Sequence, residues 1–195
     1  MNSNYPRGPL REGEPIILLD RKDREYLARL ERDRPLAIRG GKVPVEQLIG
    51  RDEGCTVRSS VNEPFLVFRP SLPQLIPNLP RNAQVVYPKD LGPILIWADL
   101  FPGARVVQAG VGAGALSMTL LRAIGSSGQL ITYEIREDFA DMARKTLSKY
   151  FGPTPNWILK VGDIETELSE ADVDRVVLDL PEPWKVIDRA WSALK

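Results

Sequence analysis

Three glycines set two residues apart, Gly110, Gly112 and Gly114, sit in the stretch AGVGAGA between an apolar run and a helix-like pattern. Glycine at such a turn lets the backbone pass close to a ligand. The segment also matches the dinucleotide pattern G-x-G-x-x-G/A, with Ala115 in the last place. Glu134 lies 20 residues beyond Gly114, where a carboxylate accepts hydrogen bonds from both hydroxyls of a ribose. Asp163, preceded by Gly162, suits a hydrogen bond to an adenine amino group, although it is one of several acids in GDIETELSEADVD. Asp179 follows the apolar run VVL directly and opens the turn DLPEPW, so its carboxylate emerges beside whatever binds there. The plainer alternative is that Asp179 caps the next helix and Trp184 only packs.

Elements that would bring these positions together can be read from the periodicity. Up to residue 70 the pieces PIILLD, PLAIRGGKVP and CTVRSSVNEPFLVFRP, separated by Gly, Pro and Asn, predict a small antiparallel β domain. Within it DRKDREYLARLER is rich in charge and fits either a helical turn or an exposed hairpin arm. Four prolines in RPSLPQLIPNLPR mark residues 71–86 as a linker with at most short helical turns. From residue 87 to 195 strands and helices alternate: helix LGPILIWADL, strand RVVQA, helix 115–124, strand QLITYEI, helix REDFADMARKTLSKYF, strands WILKVGD and VDRVVLDL, helix PWKVIDRAWSALK. In the third-named helix Phe139, Met142, Ala143 and Leu147 recur at helical spacing as one apolar face. The alternation predicts a Rossmann-like α/β sheet of parallel strands with its ligand at their carboxyl ends. Gly110–Gly114, Glu134, Asp163 and Asp179 all fall at those ends.

Composition narrows the chemistry. The 195 residues contain no histidine and one cysteine, Cys55, which removes histidine-based triads, histidine metal sites and an intrachain disulfide; no metal is expected. Lys plus Arg and Asp plus Glu balance at 26 each, against a strongly basic nucleic-acid binder at the level of totals. No apolar run approaches the ~18 residues of a membrane span, and MNSNYPRGPLREGEP lacks the apolar core of a signal peptide, so no membrane association and a cytoplasmic location are expected.

The glycine turn, read as AGVGAG, fits the loop of methyltransferases that use S-adenosylmethionine as well as it fits an NAD site. Glu134 does not separate the two, because both cofactors carry the same ribose. DLPEPW does: methyltransferases acting on the nitrogens of bases have a related Asp/Asn-Pro-Pro-aromatic turn that holds the acceptor base, and Pro181 and Pro183 stiffen the exit here.

Together, QVVYPKDLGPIL, VVQAGVGAGALSMTLLRAIGSSGQLITYEIREDFADMAR and VLDLPEPW resemble the tRNA (adenine-N1)-methyltransferases that modify the T-loop adenine at position fifty-eight, the bacterial and archaeal single-chain enzymes above all. AIRGGKVPVEQLIGRDEGCTVRSSVNEPFLVFRPSLPQLI resembles that family's small β domain. The resemblance implies S-adenosylmethionine as donor, tRNA as substrate, a homotetramer when full length, Asp179 as the catalytic residue, Gln108, Gly110, Gly112, Gly114, Ala115, Glu134 and Asp163 around the donor, and Tyr87 and Trp184 at the acceptor pocket. Lys89 and Asp90 of YPKD are expected to order the segment over the donor. Two departures accompany it: Gln108 stands where the family usually has an acid, and Ala113 where it has Ser. The sheet is also expected to be incomplete, since the family completes seven strands and this pattern stops after four, which points to a C-terminally truncated chain of low activity. The competing readings are a non-catalytic tRNA-binding subunit or decayed fragment of that family and, more weakly, an NAD-dependent oxidoreductase.

Overall fold

The computed structural model describes residues 6–80 and 83–195; residues 81 and 82 of the expected linker, and 1–5 of the expected β domain, lie outside the described set. The chain divides into two compact units, one ending at Asn78 and the other running from Leu79 to Lys195.

In the first unit β1 (Pro15–Leu19), β2 (Glu25–Arg29), β3 (Leu36–Ile38), β4 (Gly41–Val43), β5 (Thr56–Arg58) and β6 (Pro64–Phe68) are followed by one turn of helix, α1 (Leu72–Leu75). The strands form an antiparallel sheet of order β2-β1-β6-β5 and a separate β3-β4 hairpin. Apolar side chains from both pieces, among them Ile16, Leu18, Val43, Phe65 and Val67, share one core. The charged stretch that the sequence left between helix and hairpin arm is the arm: Leu27 pairs with Ile17 and Glu25 with Leu19.

The second unit holds α2 (Pro88–Trp97), β7 (Arg105–Ala109), α3 (Ala115–Ile124), β8 (Gln129–Glu134), α4 (Glu137–Tyr150), β9 (Trp157–Val161), α5 (Ile164–Glu167), β10 (Arg175–Leu178) and α6 (Ile187–Ala193). Its four strands are parallel in the order β10-β7-β8-β9. The central pair is buried on both faces, as parallel strands covered by helices must be. This is the Rossmann-like sheet that the alternation predicts.

Several boundaries differ from expectation, and three of them bear on the site. α2 starts at Pro88, three residues before the apolar pattern, because proline in the first turn has no N–H to leave unsatisfied. β8 stops at Glu134, leaving Ile135 outside the strand and 69% exposed. The last helix shortens to Ile187–Ala193 behind a 3-10 turn at Pro183–Val186. Among the described residues no helix is long and apolar enough to cross a membrane.

Candidate active site

Because the strands of the second unit are parallel, their carboxyl ends share one side of the sheet, and a cavity of about 980 Å³ opens there. That is ample for a nucleoside cofactor with part of a second ligand. Gly110 and Gly112 from the end of β7, Glu134 from β8, Asp163 after β9, Asp179 after β10 and Tyr87 at the start of α2 all line it.

Local geometry explains the glycines. Gly110 has φ +82°, and a β-carbon there would overlap the carbonyl oxygen of Asp179. The ends of β10, β7 and β8 are laced at backbone contact, with the Asp179 N–H donating to Ala109 at 2.9 Å and the Gly110 N–H to Tyr133 at 3.0 Å. Gly114 serves packing instead: its missing β-carbon would lie 2.6 Å from Leu147 Cδ1 on α4. Gly114 and Ala115 are buried at the start of α3, off the cavity wall.

Glu134 is buried, and each of its carboxylate oxygens already accepts one backbone N–H, from Val111 and from Arg136, both at 3.0 Å. Each oxygen keeps further acceptor capacity for a ligand hydroxyl. Asp163 Oδ1 accepts the Glu165 N–H at 2.8 Å and so caps α5 while it faces the cavity. Asp179 differs from both. Its side chain makes no hydrogen bond among the described residues, and burial pushes its carboxyl above the ordinary aspartate range. It caps nothing: the following 3-10 turn has Glu182 at its cap position.

Besides Gly114 and Ala115, two further expected residues, Gln108 and Trp184, stand elsewhere. Gln108 is fully buried beneath the glycine loop, with its amide turned into the sheet rather than toward the cavity. Ala113 is buried in the loop as well. Trp184 is 61% exposed and does not line the cavity, because the 3-10 turn buries Val186 in its stead. Conversely, Ile135, Arg136 and Phe139 line the wall unannounced. Phe139 is not on the buried face of α4, which is Ala140, Ala143, Thr146 and Leu147; the Arg136 guanidinium lies over its ring at 3.8 Å. The available signal was the strand's end: once Glu134 closes β8, the residues just after it must turn over the cavity. Lys89 and Asp90 also line the wall and pair with each other at 2.8 Å.

A family model described as the tRNA methyltransferase complex GCD14 subunit matches residues 66–195, and a TrmI-like N-terminal model matches residues 8–57. The chain belongs to the GCD14 tRNA methyltransferase family. Among GCD14 relatives, the tRNA (adenine(58)-N(1))-methyltransferase TrmI of Thermus thermophilus is 38% identical over 182 residues, 93% of this chain and 71% of its own length. The tRNA (adenine(57)-N(1)/adenine(58)-N(1))-methyltransferase TrmI of Methanocaldococcus jannaschii is 32% identical, with 91% and 70% covered. Of solved structures, a SAM-dependent O-methyltransferase from Thermotoga maritima matches with TM-score 0.88 at 37% identity, over 95% of this chain and 69% of that one. The tRNA (m1A58) methyltransferase TrmI from Aquifex aeolicus matches with TM-score 0.81 at 26% identity, over 96% and 72%.

Proposed function

We propose that this chain transfers a methyl group from S-adenosylmethionine to N1 of adenine 58 in tRNA, acting in the cytoplasm. The observation that carries the reading is the meeting of Gly110, Glu134, Asp163 and the unpartnered Asp179 carboxylate in one cavity. The wall's charge favours this donor over NAD: among the described residues, Asp90, Glu134, Asp163, Glu165, Asp179 and Glu182 face only Lys89 and Arg136. An acidic wall attracts a cationic sulfonium and repels a pyrophosphate.

The donor supplies an electrophilic methyl carbon bound to a positively charged sulfur. Around it, Glu134 accepts from the ribose hydroxyls, Asp163 from the adenine amino group, and Ile135 offers an apolar surface to a planar ring. The glycine loop admits the methionine part at backbone distance. The acceptor adenine leaves its stack to enter the site, and its N1 lone pair needs no base to become a nucleophile. Tyr87 forms part of the acceptor wall. Asp179 accepts from the exocyclic amino group, which fixes the ring and stabilises the positive charge that the ring gains on methylation.

We further propose that the protein assembles as a homotetramer, which fits the exposure of Trp97 at 88% and Trp191 at 79%. Light scattering reads the mass, and a monomer at micromolar concentration would reject that assembly.

Unmodified tRNA transcript incubated with protein and donor, digested and analysed by mass spectrometry, should yield 1-methyladenosine mapping to position 58. Transcript that is retained but unmethylated would instead support a tRNA-binding subunit. Methylation on a ribose or other oxygen would overturn the acceptor assignment.

A further inference from the structure

Gln108 occupies the interior of the parallel sheet, between Val177 on β10 and Thr132 on β8, and none of it reaches solvent. A polar side chain in that place must find partners within the protein. Its Nε2 donates to the carbonyl oxygen of Gly110 at 2.8 Å, while Oε1 accepts from Ser117 Oγ at 2.8 Å and from Thr132 Oγ1 at 3.3 Å. Thr132 Oγ1 accepts in turn from the indole N–H of Trp157 at 2.9 Å. Donor chemistry fixes the orientation of this amide. A backbone carbonyl can only accept, so the group facing Gly110 must be the NH₂, and Thr132, having accepted from Trp157, has its own proton left to give to Oε1.

We infer that Gln108 is a positioning residue for the donor-binding loop of this chain, holding the Gly110 carbonyl down onto the sheet through an amide N–H that the acid usual at this place in the family lacks when ionised. The inference rests on reading the cavity as the donor site. With the Gly110 carbonyl turned inward, the chain at Val111 faces the other way, and its N–H reaches Glu134. Gln108 and Glu134 thus fix the two sides of one turn from below and from the wall. A carboxylate at position 108 would keep the Ser117 and Thr132 bonds but would set an oxygen against the Gly110 oxygen. Protonation alone would restore the donor. Among the described residues no hydrogen-bond partner of the amide can titrate in its place: the partners are a backbone carbonyl on the loop and hydroxyls on α3 and β8, and the neighbour in register on β10 is the apolar Val177. Two carboxylates follow two residues on along these strands: Glu134, engaged by Val111 and Arg136, and Asp179, which packs on Gly110 and is present in wild type and variant alike, so the ratio to wild type cancels its titration.

Gln108→Glu changes one atom and no volume, so it isolates the donor. Donor affinity is measured by calorimetry for wild type, Gln108→Glu and Gln108→Met between about pH 5.5 and 9, the span in which a buried glutamate titrates. The expected result is a Gln108→Glu to wild-type affinity ratio near one at the acid end, falling about tenfold or more at the alkaline end as a buried donor is lost. Gln108→Met should be weak throughout. Hydrogen exchange of the amides of residues 111–114, in the ligand-free proteins and relative to wild type at each pH, should accelerate in Gln108→Glu with the same midpoint. A ratio that does not change with pH, whether high or uniformly low, in both measurements would overturn the inference. Wild-type protein that binds no donor would reject the donor reading instead, with the exchange experiment still deciding the role of Gln108.

Discussion

At the scale of single residues the cavity contrasts acids that are already engaged with one that is not. Glu134 and Asp163 hold backbone amides, whereas Asp179 presents a carboxylate that burial has raised above its ordinary pKa and that no described group satisfies. A raised acid lends stability that is fully present below its unfolded pKa and is lost as pH rises through the folded value. Asp179 nevertheless stays exposed in the cavity wall, so solvent keeps the cost of its charge to folding small and the carboxylate is free for the acceptor. Asp179→Ala is expected to lower turnover by about two to three orders of magnitude, the usual effect of removing one group that stabilises developing charge. Asp179→Asn should fall between, and should melt no lower than wild type at neutral pH, because it removes the uncompensated charge. Donor affinity should stay close to wild type in both. Steady-state kinetics, calorimetry and thermal melts read the three quantities; near-normal turnover in both variants would leave the acceptor site unassigned. The four strand-end positions were legible in the sequence because a parallel sheet sends every strand end to one side. The direction of a side chain within a strand was not. Whether Gln108 faces the cavity or the sheet depends on the turn that follows, and that turn is set by Gln108 itself through Gly110.

Among the elements, the β1-β2 hairpin shows how a charged stretch can fold as strand. Asp20 closes its turn: Oδ1 accepts the N–H groups of Lys22 at 2.8 Å and Arg24 at 3.0 Å, and Oδ2 accepts the Arg24 guanidinium at 2.6 Å. Asp23 between them takes φ +57°, a left-handed conformation that aspartate tolerates better than most residues. Burial alone would raise the Asp20 carboxyl, but the amides of Arg24 and Lys22 and the Arg24 guanidinium overcome it and hold the pKa at about 2. The stability it lends is complete above the ordinary value of 3.8 and is lost as pH falls toward about 2. Asp20→Asn is accordingly expected to destabilise the first unit at neutral pH, and the difference from wild type should shrink across that acid window. Acid titrations of thermal stability would show it, and a difference constant with pH would mean that the charge is not what closes the turn. The sequence left this segment between helix and hairpin because its alternation is masked by charges on both faces; what decides is an aspartate collecting two amides, a local bond that periodicity does not report. The last helix was overestimated for a related reason, since Pro183 starts a 3-10 turn before α-helical bonding begins at Ile187.

For the whole molecule, the division of labour follows from where the cores and the cavity lie. The first unit packs Ile16, Leu18, Phe65 and Val67 into one cluster, and the second packs Val107, Ile131, Tyr133 and Val173 into another. Every described residue lining the cavity belongs to the second unit. Phe65 is the largest apolar side chain fully buried in the first cluster and meets Tyr26 edge-on, with ring centroids 6.0 Å apart. Phe65→Ala would remove about 3–5 kcal/mol, comparable to the net stability of a unit this small. Phe65→Leu keeps most of the volume and should cost under about 1.5 kcal/mol, leaving the unit folded enough to measure. If donor binding belongs to the second unit alone, Phe65→Leu lowers the melting temperature of the first unit while the donor dissociation constant stays that of wild type. The first unit's melt can be followed by hydrogen exchange of the β1, β2 and β6 amides as temperature rises, and donor binding by calorimetry below the transition. A donor affinity that weakens in step with the melting temperature would show that the two units share their stability, and that the donor site needs the β unit to form.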